Sequence, residues 1–360
     1  MPTIGSFKPL ANDDRTTSRV KLHESIPLTG TILSGTYGTF PNDTNIKNYT
    51  HGMFQSVYDY PYLSSSANHI LDLSIGIATN SGLSSSIATQ RNAKNDMYNE
   101  VCQVLAGYNS SASINQLDVS GNFDGTNNLD KMRDVFILNF SRLLTKDEIQ
   151  KQASGFKIQL GVSASWYFPF GKIVDIYDKN GSQPYYTNSP AGEFNLLYAS
   201  GSNFSDLSDQ VVGLVFYQAG IAILTSSVLT SGSGFPEAPS ASMGATTTFP
   251  AMMAASAITE SCNAFRHRIY NISFNNTTEL NSSIYFCRAN NSEFNYSSNP
   301  TYLSQSQLRV KSVATDNPVS YITTVGLYSQ DNALLAVAKL SEPLKKTPAQ
   351  EYTLRVRLDY

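Results

Sequence analysis

Charge is the first thing this sequence is short of. Aspartate, glutamate, lysine and arginine make up 15% of its 360 residues, against about a quarter in an ordinary globular domain. The net charge is −3 and no lysine or arginine run exceeds two residues. That excludes a general nucleic-acid binder, which needs a basic face to displace phosphate counterions. Cysteine is scarce and odd in number: Cys102, Cys262 and Cys287 form no CxxC pair. They read as reduced thiols in a reducing cytoplasm, with a Cys262–Cys287 bridge left open. The four histidines, His23, His51, His69 and His267, lie at none of the HxH, HxxxH or HExxH spacings, so no local metal signature exists. His267, between two arginines, reads as a helix-end residue.

The signatures of catalysis are missing as well. There is no nucleophile elbow, no phosphate loop and no dinucleotide fingerprint. Ser120, Asn122 and Asp124 fall at calcium-loop spacing before Gly125, but Lys131 stands where a bidentate glutamate is required. Consecutive Asx turns explain that stretch better. The pair Asp147-Glu148 reads as solvated charge on a turn, and the single tryptophan, Trp166, as packing. The chain is therefore expected to be a non-enzyme, with no catalytic, cofactor-binding or metal-binding residue assigned. The N-terminus lacks the apolar core of a secretory signal, so the sequons at Asn48, Asn109 and Asn203 reflect composition. The longest uncharged apolar stretch, 211–229, could just span a bilayer. Gln218 and Gly220 instead divide it into two buried strands, VVGLVFYQ and IAILTSSVL, and no membrane span is expected.

What the sequence does have is asparagine, serine, tyrosine and alternation. Leu354, Val356 and Leu358 point one way and Arg355, Arg357 and Asp359 the other, the period of a half-buried terminal strand. Strands are expected at 25–37 (broken by Gly30 and Gly35), 69–78, 135–140, 157–168, 172–177, 269–274, 283–288, 321–328 and 333–340. Helices are expected at Asn92–Leu105, with Ala93, Met97, Val101, Val104 and Leu105 on one face, and at Thr145–Lys151, with Thr145 and Glu148 as a capping box. A third is expected at Ala251–Arg268, its Arg266 and Arg268 at the C-terminal end. The fold class is α+β and β-rich: antiparallel, sandwich-like sheets with a few helices and a C-terminal β-meander ending in a terminal strand. The expected division is a polar N-terminal arm (1–20), an α+β body (21–268) with a flexible loop near 231–242, and a β-rich C-terminal part (269–360).

Five blocks carry a resemblance: HGMFQSVYDYPYLSSSANHILDLSIG (51–76), DVFILNFSRLLTKDEI (134–149), SPAGEFNLLYAS (189–200), RIYNISFNNTTELNSSIYFCRANNSEFNYSSNPTYL (268–303) and YITTVGLYSQDNALLAVAKLSEPLKK (321–346). Together they resemble a family of virion structural proteins of tailed phages, of the marine and cyanobacterial myovirus type. The C-terminal hairpin and last strand also resemble elements of baseplate-wedge and tail-collar components. The resemblance implies a non-enzymatic subunit of the baseplate or tail, assembled in the host cytoplasm and located in the virion. It would pack against other virion proteins and form a homo-oligomer, with no direct nucleic-acid contact. The alternatives are a neck or head component, or a host-surface module that binds glycans through Tyr58, Tyr60 and Tyr62.

Overall fold

The computed structural model describes residues 7–30, 44–123, 130–162, 169–181, 185–200, 210–229, 249–295, 303–304, 307–308 and 318–360. In chain order the first half holds β1 (Arg15–Thr29), β2 (Ile46–Asn48), β3 (Gln55–Tyr58), β4 (His69–Ile77), α1 (Arg91–Leu105), β5 (Asp134–Phe140), α2 (Arg142–Thr145), β6 (Glu148–Ile149), β7 (Lys157–Gly161) and β8 (Ile173–Asp178). The second half holds β9 (Tyr186–Ser189), β10 (Gly192–Ser200), β11 (Gln210–Phe216), β12 (Ile221–Thr225), α3 (Phe249–Ala255), α4 (Ile258–Arg266), β13 (Ile269–Ala289), β14 (Leu303–Ser304), β15 (Gln307–Leu308), β16 (Ser320–Tyr328), β17 (Leu334–Lys346) and β18 (Tyr352–Asp359). Strand outweighs helix, 48% to 17%, so the chain is β-rich with a large antiparallel sheet and ends in a strand. The expected loop at 231–242 and Trp166 lie outside the described residues.

Two compact units emerge, Leu22–Thr278 and Met1–Lys21 with Glu279–Tyr360. In the larger one the strands follow the order β13-β7-β8-β10-β11-β12-β5-β4-β3-β2, with β6 beside β13 and β9 beside β10. Its central strands are buried on both faces. Along β5, Phe136, Leu138 and Phe140 join one apolar cluster while Val135 and Ile137 join another. Along β12, Ala222 and Leu224 divide from Ile223 in the same way. Two-sided burial replaces polar alternation by continuous apolar runs, which is why VFILNF and VVGLVF have no polar beat. α1 supplies Tyr98, Cys102 and Leu105 to one cluster, and α4 supplies Ile258, Cys262 and Phe265 to the other. Gly76 permits the approach of α1: a Cβ there would stand 3.0 Å from the Cα of Tyr98.

The split of 211–229 into β11 and β12 agrees with the sequence reading, and no described helix is long and apolar enough to cross a membrane. Several other expectations need correction. The buried face of α1 is Lys94, Tyr98, Cys102 and Leu105, one residue round from the expected face, and Val104 is 59% exposed. The cause is Lys94. Its ammonium donates to the carbonyls of Met253 (2.7 Å), Ala254 (3.3 Å) and Ser256 (2.7 Å). These carbonyls lie at the C-terminal end of α3, where intrahelical partners run out and a cation is favoured. Burial pulls the Lys94 pKa down to about 8.

The helix expected from Thr145 instead ends there. Ser141 caps it, its Oγ accepting the Leu143 N–H at 3.3 Å. Glu148 is strand rather than helix or turn, facing Thr277 of β13 and pairing with Lys151 at 3.0 Å. The long helix expected at Ala251–Arg268 is broken at Ser256-Ala257, where Ala257 is extended and the Ile258 N–H is taken by Gln90 Oε1 at 2.8 Å. Arg266 and Arg268 do not sit in water at a helix end; they are 1% and 0% exposed. Arg266 Nε donates to Gln55 Oε1 at 2.8 Å, and the Arg268 guanidinium donates to the Gly161 carbonyl at 3.0 Å.

The two short strands expected within 269–288 are one strand of 21 residues. Ladders with β7, β6 and β18 along its length satisfy its backbone through the Asn/Thr segment, and pairing overrides low intrinsic propensity. Likewise β1 is one strand that begins at Arg15, inside the expected arm, and does not break at Ser25.

The smaller unit is built differently. Residues 282–289 of β13 pair with β18, and β16 pairs with β17 as a separate hairpin. Among its described residues only Ala289, Leu327 and Val356 are buried apolar side chains, and none belongs to either core cluster. The base of the hairpin is held by polar contacts. Lys346, 0% exposed, donates to Asn295 Oδ1 (2.8 Å) and to the carbonyls of Thr347 (3.1 Å) and Asn291 (3.2 Å).

Lys94→Met keeps the length and apolar stem of the side chain but takes the ammonium donor from the Met253 and Ser256 carbonyls, while Ala254 keeps the Ala88 N–H. It is expected to destabilise the protein by about 1–3 kcal/mol. Chemical denaturation followed by circular dichroism checks this; a midpoint equal to that of the parent would show that the ammonium contributes no net stability.

Candidate interaction surfaces

The β16–β17 hairpin presents the first surface. Its register sets Thr324 opposite Lys339, Gly326 opposite Val337 and Leu327 opposite Ala336, with an irregularity before Tyr328 meets Leu334. Leu327 is buried on one face. Away from it, Tyr328, Leu334, Leu335 and Val337 are 52%, 53%, 67% and 53% exposed. The Tyr328 ring and the Leu334 side chain come within 3.0 and 3.4 Å of where a Gly326 Cβ would stand, so they overlie a position with no side chain of its own. Between Tyr321 and Ala338 only Asp331, in the turn, is charged. An isolated two-stranded hairpin is marginal in water, and an uncharged apolar strip of this kind is characteristic of an interaction surface.

The second surface lies in the larger unit, where β2, β3 and β4 run side by side. The register places Lys47, Ser56 and Asp72 in one row across the three strands. Ser56 Oγ donates to Asp72 Oδ1, and His69 Nε2 lies 2.9 Å from the same oxygen. The hydrogen bond and charge of Asp72 raise the His69 pKa, opposed by partial burial. A serine, an aspartate and a histidine thus meet, but the carboxylate stands between the other two. The histidine cannot take the serine proton, so this is no nucleophile–base pair.

Aromatic rings surround this row. Tyr58 lies 5.5 Å from His69 and 6.4 Å from Tyr62, tilted to each by 56° and 41°. Tyr49, His51 and Phe54 form a second group with centroids 4.9–5.2 Å apart, and Lys47 Nζ sits 4.7 Å from the Tyr49 centroid. The loop after β3 is clamped at its base. Asn68 donates its backbone N–H and its side-chain amide to the two carboxylate oxygens of Asp59, at 2.6 and 2.8 Å. Tyr60 and Tyr62 on this loop are 58% and 37% exposed. Of the three tyrosines named from the sequence, Tyr60 and Tyr62 are exposed and Tyr58 is a half-buried ring in contact with Tyr62 and His69.

No family model, curated protein or solved structure matches this chain. The remaining chemistry-bearing residues stay apart. Among the described residues no group of three or more histidines, cysteines or carboxylates could hold a metal ion. His23 faces Thr277, His51 stacks on Tyr49 and His267 is buried. Lys131 reaches Asp118 at 2.7 Å, both almost fully buried, so an internal cation already occupies the carboxylate that begins the acidic loop. All three cysteines are free thiols. Burial pushes Cys102 up to about 11 and Cys262 higher, the opposite of an activated nucleophile.

One buried acid has a measurable consequence. Asp178 accepts from the Tyr217 hydroxyl, and burial raises its pKa to about 6, opposed by that hydrogen bond and by the Asn180 N–H. A carboxyl raised on folding stabilises the fold fully below its unfolded value and loses that contribution as pH rises through 6. Asp178→Asn removes the titration and keeps a carbonyl acceptor for Tyr217. Relative to the parent, the variant is expected to gain up to about 3 kcal/mol in going from pH 4 to pH 7.5. Thermal unfolding of both proteins at the two pH values checks this; a constant difference would place the Asp178 pKa near its unfolded value.

Proposed function

We propose that this chain is a non-enzymatic structural subunit of a tailed-phage virion, a baseplate or tail component that works by packing against other virion proteins and further copies of itself. One observation supports it most. The smaller unit buries three apolar side chains among its described residues and exposes a larger set, including Tyr321, Tyr328, Leu334, Leu335 and Val337. A unit with so little core of its own gains stability when its exposed strips are covered. The surrounding polar surface carries little charge to desolvate. The resemblance of the five blocks to virion proteins supplies the kind of assembly.

Cryo-EM reconstruction of the particle tests the proposal directly. Density for this chain in the baseplate or tail is the expected result. Density at the neck or capsid would discard the position and keep the packing role, and absence from the particle would overturn the proposal. A double variant, Leu335→Glu with Val337→Glu, changes only exposed positions and is expected to alter folding stability by about 0.5 kcal/mol or less per site. Its incorporation into particles is expected to fall at least ten-fold; incorporation at the parental level would remove the hairpin from the packing surface.

A further inference from the structure

We infer that the aromatic face formed by β3, β4 and the loop between them is a binding site for a neutral saccharide, separate from any packing role. Three features lead there. The rings of Tyr58, Tyr62 and His69 are tilted around one another at 5.5 and 6.4 Å, a bent apolar wall on which the C–H face of a pyranose can lie. Beside it stands Asp72, with 28% of its side chain exposed. Ser56 and His69 both engage its Oδ1, which fixes the carboxylate and leaves Oδ2 as an acceptor for a ligand hydroxyl. The loop that carries Tyr62 is pinned at its base by the paired Asp59–Asn68 hydrogen bonds, which limits the backbone entropy lost on binding.

Size and charge choose the occupant. The patch is a handful of side chains, far smaller than the roughly 800 Å² a partner protein must cover for a stable interface, and it matches one or two sugar rings. Asp59 and Asp72 are the carboxylates of the patch, and Lys47 is set over the Tyr49 ring. That balance disfavours uronic or sialic acids and suits a neutral sugar, whose hydroxyls hydrogen-bond to Asp72 while a ring stacks on tyrosine.

Saturation-transfer difference NMR on the full chain tests this with five probes: the methyl glycosides of glucose, galactose, mannose and N-acetylglucosamine, and methyl glucuronide. Transfer to at least one neutral glycoside and none to the glucuronide is the expected result. Tyr62→Ala and Asp72→Asn should each weaken that binding at least ten-fold. Tyr108→Ala, an exposed tyrosine elsewhere in the same unit, should leave it unchanged. Matching thermal melting curves identify variants that keep their fold, and Tyr62→Ala, at an exposed loop position, is the one on which the conclusion rests. Silence of the parent protein with all four neutral glycosides would overturn the inference, as would binding that Tyr62→Ala and Asp72→Asn leave intact. Neither result bears on incorporation into particles.

Discussion

Two-sided burial of the central antiparallel strands governs the larger unit. Once β4, β5, β11 and β12 bury both faces, two separate apolar layers are required, and α1 and α4 contribute one to each. The closeness of that packing explains both the glycine at position 76 and the cations drawn inside. Lys94, Arg266 and Arg268 are buried, and backbone carbonyls and side-chain amides meet them there. A cation so placed takes the role of missing backbone donors at helix and strand ends, where the chain leaves carbonyls unsatisfied.

The smaller unit follows another rule. Its described strands pair their backbones while few of its described side chains bury apolar surface, so ladders, the Lys346 contacts and ion pairs such as Arg288–Asp14 at 2.9 Å carry its order. Among the described residues one unit has its own apolar clusters and the other contributes to none. The aromatic face of the larger unit stands outside that logic. Its rings are clamped, not buried, and its polar groups converge on one carboxylate.

Period-2 alternation and apolar runs made several strands legible: β4, β5, β8, β11, β12, β16 and β18 lie close to where the side-chain pattern puts them. The same reasoning failed where the deciding interaction came from far along the chain. The face expected for α1 was drawn through its apolar residues alone, and only contact with α3, some 160 residues away, makes burial of Lys94 favourable. The Asn/Thr segment inside β13 looks like a turn until β6 supplies a ladder for it. The tyrosines at 58, 60 and 62 were visible as a cluster, but the meeting of Tyr58 with His69 and Asp72 depends on the β3–β4 register, which no local signal reports.

By itself, then, the sequence determined the β-rich class, the low charge, the positions of several strands and the absence of local catalytic signatures, because each of these depends on composition or on neighbours a few residues apart. Tertiary structure alone decided which side chains are buried in α1, that Arg266 and Arg268 lie inside the protein, that β13 is continuous, and that, among the described residues, one unit has a core while the other presents most of its large apolar residues to solvent. Those outcomes depend on which distant backbone groups need a partner, and pairing between distant segments is settled only when the chain has folded.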